Sequence, residues 1–254
     1  MLDKQSSPLP ATGGDPGERR LSYGEVYRRT RKPLDAWWIV FVTDHLATPI
    51  VYLIQRFGIR VSPNWITFIS LLFGLGSCYA FASSWWITGA ILYQVSFTLD
   101  CVDGRIARLR NLTSPIGAWW DGFVNHVVYV ACVAGIVLSD PGNYLLATGG
   151  LILLAIRSLT IFTNHELDRP NTGTWSHFVA DQDSWMSRMR LLPPGSFPDK
   201  HAILFFAGPL LVGVAPDLQP VLIGVGINVG MEIMLLALKV RKLLRQDELA
   251  SARV

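Results

Sequence analysis

The chain has 254 residues, half of them apolar, only 16% charged, with nine tryptophans and a net charge of +3. That balance belongs to membrane-embedded helices and excludes an ordinary soluble domain of this size. The length suits one helical bundle rather than two domains, and no nucleic-acid partner is expected.

Residues 1–20 are rich in Pro, Gly and Ser and lack an apolar core after a basic start. They are not a signal peptide, and a disordered cytoplasmic tail is predicted. Residues 21–60 form the next unit, which opens with a collar of Arg28, Arg29, Arg31 and Lys32 suited to anionic headgroups. Residues 36–58 are apolar enough to span, yet Asp44, Thr48 and Gln55 fall on one helical stripe and Pro49 interrupts the middle. Trp37 and Trp38 suit the headgroup level. The pattern predicts an amphipathic juxtamembrane helix lying in the interface. At V-S-P-N-W-I-T, residues 61–67, Ser62 is placed to cap a helix whose first residue is Pro63.

Six apolar runs follow, at about 63–83, 86–108, 114–138, 143–163, 201–215 and 219–240. Each is near the length that crosses hydrocarbon, the fifth being short, and backbone satisfaction in lipid makes them helices. The predicted fold is therefore all-α and integral to the membrane: six transmembrane helices over residues 61–245, with a cytoplasmic tail at 246–254. The connections at Ser83–Ser84, Asp140–Asn143 and Pro216–Pro220 contain no Lys or Arg. The opposite ends hold Arg56, Arg60, Arg105, Arg108, Arg110, Arg169, Arg188, Arg190, Lys200, Lys239, Arg241, Lys242 and Arg245. The positive-inside rule puts both termini in the cytoplasm. A seventh span at 36–58 would put the basic collar outside, a second reason to lay that helix in the interface.

Chemistry concentrates between Asp100 and Asn125. The run D-C-V-D-G-R-I-A-R is followed, eight residues later, by G-A-W-W-D-G-F-V-N. Helical spacing puts Asp100, Asp103, Gly104 and Ala107 on one face, and Gly117, Asp121 and Asn125 on one face of a second helix. Three carboxylates and an amide that converge need a cation, and all-oxygen ligands favour Mg²⁺, Mn²⁺ or Ca²⁺. The small residues between them let a ligand lie against the backbone. Cys78, Cys101 and Cys132 are odd in number and scattered through apolar runs, so neither a disulfide framework nor a zinc site is expected. Cys101 reads as a small packing residue.

The spacing resembles the motif of the CDP-alcohol phosphotransferase (CDP-alcohol phosphatidyltransferase) family, D-x2-D-G-x2-A-R-x8-G-x3-D-x3-D. Asn125 stands where the last Asp belongs. The resemblance implies a membrane phosphotransferase. An acceptor hydroxyl attacks the β-phosphorus of a CDP-linked alcohol, often CDP-diacylglycerol, and CMP leaves, as in phospholipid biosynthesis. It implies Mg²⁺ or Mn²⁺, one ion or two, held by Asp100, Asp103, Asp121 and the Asn125 position. Gly104, Ala107 and Gly117 would let the cytidine lie close, Arg108 would pair with phosphate, and Asn64 and Thr67 would touch the nucleotide.

Asn125 is the departure. The family's aspartate there is its general base, and an amide cannot take a proton at neutral pH. His126, adjacent but about 100° round the helix, His165 and Glu166 are alternative bases. An already anionic acceptor, a relative that binds without turnover, and an introduced Asn are the other readings. The long segment 164–200 carries His165, Glu166, Asp168, Arg169, Arg188, Arg190 and Lys200, for phosphate binding or for topology. Arg157, inside an apolar run, is expected near the site. Gly226 and Gly230 form a G-x-x-x-G step, expected to pack inside the bundle, with a homodimer contact as the alternative. Glu232 would face the site or pair with a polar neighbour. A transporter would favour internal repeats and mid-membrane sites, and the chain has neither.

Overall fold

A computed structural model describes residues 21–167, 188–192, 196–212, 214–215 and 219–251, and their side chains apart from 160–167, 238–240 and 242–251. The predicted tail at 1–20 and the loop residues Asp168 and Arg169 lie outside the described residues, as do the side chains of His165, Glu166, Lys239, Lys242 and Arg245.

The architecture is helical throughout the described residues, with one isolated bridge between Asp35 and Leu191. Helix α1 (Tyr23–Thr30) starts on a reciprocal cap, in which Ser22 Oγ accepts from Glu25 N and the Glu25 carboxylate accepts from Ser22 N. A π-helical turn (Ile39–Thr43) runs into α2 (Asp44–Arg56). Then come α3 (Pro63–Ala82), α4 (Trp86–Leu109), α5 (Pro115–Leu138) and α6 (Tyr144–Leu167). The next run is α7 (Phe197–Ala202), a second π-helical stretch (Ile203–Ala207) and α8 (Gly208–Val212). Helix α9 (Pro220–Ser251) closes the chain and continues past residue 246, where a tail was expected to begin.

Among the described residues, three helices are long and apolar enough to cross a membrane: α3, α5 and the Pro220–Ala237 part of α9. Helix α4 has the length, but it carries Asp100, Asp103, Arg105 and Arg108 in its last ten residues. The charges that build the site are those that lower its apolarity. Helix α6 contributes a shorter apolar stretch, Tyr144–Leu159.

Helix α3 is the hub, packed along α4 on one side and α5 on the other. Its contact with α5 is backbone-close. A Cβ on Gly135 would lie 2.5 Å from the Cys78 carbonyl oxygen, so only glycine permits that crossing. Helices α6 and α9 pack on each other. The main core gathers Phe81, Tyr93, Phe97, Val128, Tyr129, Cys132, Leu153 and Phe205. A smaller one joins α1, α2, α3 and α4 through Val26, Ala47, Val51, Ile66, Val102 and Ile106. All three cysteines are free thiols, and Cys101 packs against both cores.

Three helix ends carry a residue in the left-handed region: Gly58 after α2, Ser84 after α3 and Asn111 after α4. Behind Asn111, Leu112 N donates to Ala107 O at 2.8 Å and Asn111 N to Arg108 O at 3.3 Å. This double bond pattern ends α4 sharply and turns the chain into α5. At the start of α5, Ser114 Oγ accepts from Gly117 N at 3.1 Å, with Pro115 at the first position. Ser62 occupies the equivalent place before α3, but its side chain makes no capping bond.

The polar stripe of α2 faces the protein interior. Asp44 and Thr48 are buried, while Phe41, Leu46, Leu53 and Phe57 are exposed. The polar face turns into the protein because α4 supplies its partner. Arg105 donates to Asp44 Oδ1, and its Nη1 to Thr48 Oγ1 at 3.0 Å. Arg190 Nη1 adds 3.2 Å to Asp44 Oδ2 and 2.8 Å to Tyr27 Oη. Arg105 and Arg190 are therefore structural cations and not merely topological ones. Trp37 and Trp38 are also tied to protein: Trp37 Nε1 donates to Leu192 O at 2.8 Å, and Trp38 Nε1 to Gln94 Oε1 at 3.1 Å. Gly226 and Gly230 are exposed, with open space where their Cβ atoms would be. The expectation that they pack inside the bundle fails among the described residues, because α9 meets α6 through its other side.

Candidate active site

The sharp turn at Asn111 brings the last turns of α4 beside the first turns of α5. Asp100 and Asp103 then face Asp121, and one ligand oxygen from each lies within 4.8 Å of the others. Asp103 is 4% exposed, and Asp100 and Asp121 are half-buried. Three acids this close and this little hydrated repel strongly unless neutralised. The donor set is all oxygen and fits a hard divalent cation.

Each acid is also held by a neutral side chain. Asn125 Nδ2 donates to Asp100 Oδ1 at 2.9 Å and to Asp121 Oδ1 at 3.1 Å. Thr67 Oγ1 donates to Asp103 Oδ2 at 2.5 Å. Thr67 reaches it from the first turn of α3, through the contact between α3 and α4.

A cavity of about 330 Å³ opens over Asp103 and Asp121, while Asp100 and Asn125 are not among its lining residues. Asp103, Gly104, Ala107, Arg108, Gly117 and Asp121 line it, joined by Asn64 and Thr67 from α3. Every one of these had been singled out in the sequence. A Cβ added to Gly104 would meet only an Arg108 nitrogen, at 3.5 Å, so the glycine leaves a bare patch of backbone on the cavity wall. Arg108 Nε donates to Thr30 O at 2.8 Å, which clamps the end of α1 over the site and leaves the rest of the guanidinium at the cavity. A wider groove of about 720 Å³ adjoins it, sharing Ser62, Asn64, Ser114 and Gly117 and walled by Trp65, Phe68, Ile116, Trp119 and Trp120.

One turn beyond Asn125 lies a second polar group. Tyr129 follows Asn125 by four residues and stacks on His201 at 4.9 Å between ring centroids. The Arg157 guanidinium sits 3.8 Å from the Phe197 ring centroid and 5.8 Å from that of Tyr129. Lys200 Nζ pairs with Glu232 Oε1, both buried. His201 Nδ1 is 2.6 Å from Tyr93 Oη. Arg157, expected near the site, lies against Tyr129 and Phe197 and is not among the residues that line the cavity; Tyr93, Tyr129, Phe197 and His201 were not singled out in the sequence. A buried Glu232 in an apolar helix demands a cation, which was the available signal for Lys200. His126 lies beside Asn125 in sequence only: its Nδ1 is buried without a partner, and it makes no hydrogen bond to the acids.

A bundle with helices long and apolar enough to cross a membrane thus carries a cluster of three carboxylates whose all-oxygen donors suit a hard divalent cation. The CDP-alcohol phosphatidyltransferase family model matches residues 60–232, about two thirds of the chain, and the chain belongs to that family. It is 31% identical over 116 residues to a bifunctional IPC transferase and DIPP synthase of Thermococcus kodakarensis, covering 44% of this chain and 27% of that protein. A protein of the same name from Aquifex aeolicus is 32% identical over 88 residues, 34% of this chain and 19% of that one. The inner membrane protein YnjF of Escherichia coli is 25% identical over 117 residues, 43% of this chain and 56% of that one. The matched stretch thus spans about a quarter, a fifth and a half of these relatives.

Proposed function

We propose that this chain transfers a phosphoalcohol or phosphatidyl group from a CDP-activated donor to an alcohol or anionic acceptor, releasing CMP. The observation that carries the reading is the cluster of Asp100, Asp103 and Asp121, two of which, Asp103 and Asp121, line a cavity walled by Gly104, Ala107 and Gly117. It lies within the segment matched by the family model. The acceptor oxygen bonds to the β-phosphorus, the bond from that phosphorus to the oxygen of CMP breaks, and the acceptor's hydroxyl proton leaves. Catalysis of this kind rests on positioning and charge neutralisation.

Asp100, Asp103 and Asp121 would hold Mg²⁺ or Mn²⁺, whose charge neutralises the diphosphate and the leaving CMP. Thr67 and Asn125 orient the acids. Gly104, Ala107 and Gly117 admit the cytidine, Asn64 borders it, and Arg108 offers a guanidinium to phosphate. Asn125 supplies no base, because a carboxamide takes no proton at neutral pH, and its NH₂ donates to two carboxylates instead. The proton therefore goes to another group, His126 among them, or is absent from an anionic acceptor. In our reading, residues 61–245 form the six-helix catalytic unit behind the interfacial unit 21–60. Both termini and the site face the cytoplasm, since the basic residues gather at the site end.

The test is CMP release from CDP-diacylglycerol and from soluble CDP-alcohols, with Mg²⁺ or Mn²⁺ and a panel of acceptors. Metal-dependent release is the expected result. Absence of release from every pair, with CDP-lipid binding retained, would instead support a binding protein, one of the readings that Asn125 leaves open. General-base catalysis contributes about 10²–10⁴-fold. A gain of that size in Asn125→Asp would identify Asn125 as a disabling change, and no gain would mark an enzyme adapted to it.

A further inference from the structure

We infer that Asn125 limits this site to a single divalent cation. The inference rests on the metal reading above and concerns how many ions these residues can hold. Asn125 Nδ2 occupies Asp100 Oδ1 at 2.9 Å and Asp121 Oδ1 at 3.1 Å. Thr67 Oγ1 occupies Asp103 Oδ2 at 2.5 Å. One ligand oxygen from each of the three acids lies within 4.8 Å of the others. That is a three-oxygen set for one ion, with its other positions open to water or substrate phosphate.

A pair of ions would stand about 3.5–4 Å apart and needs carboxylates that bridge, each giving both oxygens. Asp100 and Asp121 are the acids placed to bridge between α4 and α5. Asn125 Nδ2 lies 2.9 Å from one oxygen of Asp100 and 3.1 Å from one of Asp121, in the gap that such an ion would fill. The amide's orientation follows from chemistry, because an ionised carboxylate only accepts and only the NH₂ end of Asn125 donates. An aspartate at 125 would reverse the situation. It supplies no donor, frees Asp100 Oδ1 and Asp121 Oδ1, and adds two more acceptor oxygens. The single change from Asp to Asn thus removes ligands and blocks others at once. Asn125 is a positioning residue here: it closes the gap between the two acids that an extra ion would otherwise bridge.

The experiment is Mn²⁺ stoichiometry on the purified full chain in lipid nanodiscs with excess CMP, by equilibrium dialysis with metal analysis and by the electron paramagnetic resonance of bound Mn²⁺. One ion per chain is expected for the unmodified protein. Two are expected for Asn125→Asp, with the spin-exchange broadening of a close Mn²⁺ pair. Two ions in the unmodified protein overturn the inference and leave the metal reading standing. One ion in Asn125→Asp also overturns it, since Asn125 would then not be the limit. No saturable Mn²⁺ in either form overturns both. Because the readout is metal content and not turnover, a variant without activity still decides the count.

Discussion

The buried pair between Arg105 and Asp44 tests how the site helix is held in place. Arg105 is 3% exposed and Asp44 2%. Asp44 uses both oxygens: Oδ1 accepts from Arg105, and Oδ2 from Arg190 at 3.2 Å and Tyr27 Oη at 3.3 Å. Arg105 has one other partner, Thr48 Oγ1 at 3.0 Å. Removing one member of a buried pair costs about 3–5 kcal/mol, because the other charge is left in place without water. The two removals should be unequal. Arg105→Met leaves Asp44 with Arg190 and Tyr27, so its cost should sit near the lower end, about 3 kcal/mol. Asp44→Leu leaves Arg105 with one neutral acceptor and deprives Arg190 as well, so about 5 kcal/mol is expected. The double variant replaces the pair by apolar groups of similar size and should recover most of the loss. Reversible unfolding of the four proteins in mixed micelles gives the cycle. A cost below about 1 kcal/mol for Asp44→Leu, or a double variant whose cost is the sum of the singles, would refute the argument.

Asp100→Ala, Asp103→Ala and Asp121→Ala should each abolish divalent-dependent CMP release; full activity in any of them removes that residue from the site. With the native cysteines replaced, a cysteine at Ser84 or Gly142 should react with an impermeant thiol reagent from outside and one at Thr113 from inside, and the opposite pattern would reverse the orientation. Gly135→Ala should cost about 1–3 kcal/mol in the same unfolding assay, because its methyl group meets the Cys78 carbonyl oxygen at 2.5 Å. Burial raises the Asp35 carboxyl above its ordinary 3.8, against the opposing pull of Lys32 and the Ala36 N–H. An acid raised in the folded state weakens it once ionised, so the loss is absent below 3.8, grows as pH rises through that value and levels off above the raised pKa. Asp35→Asn should abolish that loss while keeping the Ala36 bond, and an unchanged pH profile of unfolding would count against it.

Much of the site could be read without coordinates, because its spacing is a helical one. Asp100, Asp103, Gly104 and Ala107 lie within two turns of one helix, and Gly117, Asp121 and Asn125 within three of the next. Local geometry alone puts each set on a face. The Ser114-Pro115 start and the left-handed Asn111, which the sequence reading did not single out, are local signals as well, and they make the sharp break between α4 and α5. What the sequence could not give was the partner of each polar group. Asp44 and Thr48 look like the wet side of an interfacial helix until Arg105 from α4 arrives to pair with them. Lys200 looks like a topological charge until Glu232, thirty-two residues away, meets it. Thr67 looks like part of a helix start, and the α3–α4 contact makes it a donor to Asp103. Asn125 looks like a lost base, whereas the crossing of α4 and α5 makes it the donor that joins two acids. Spacing along one helix is set by the chain itself, and so the sequence determined the two acidic faces and the small residues between them. Which face meets which depends on how helices pack, and a buried charge takes its role from whatever the packing brings opposite it.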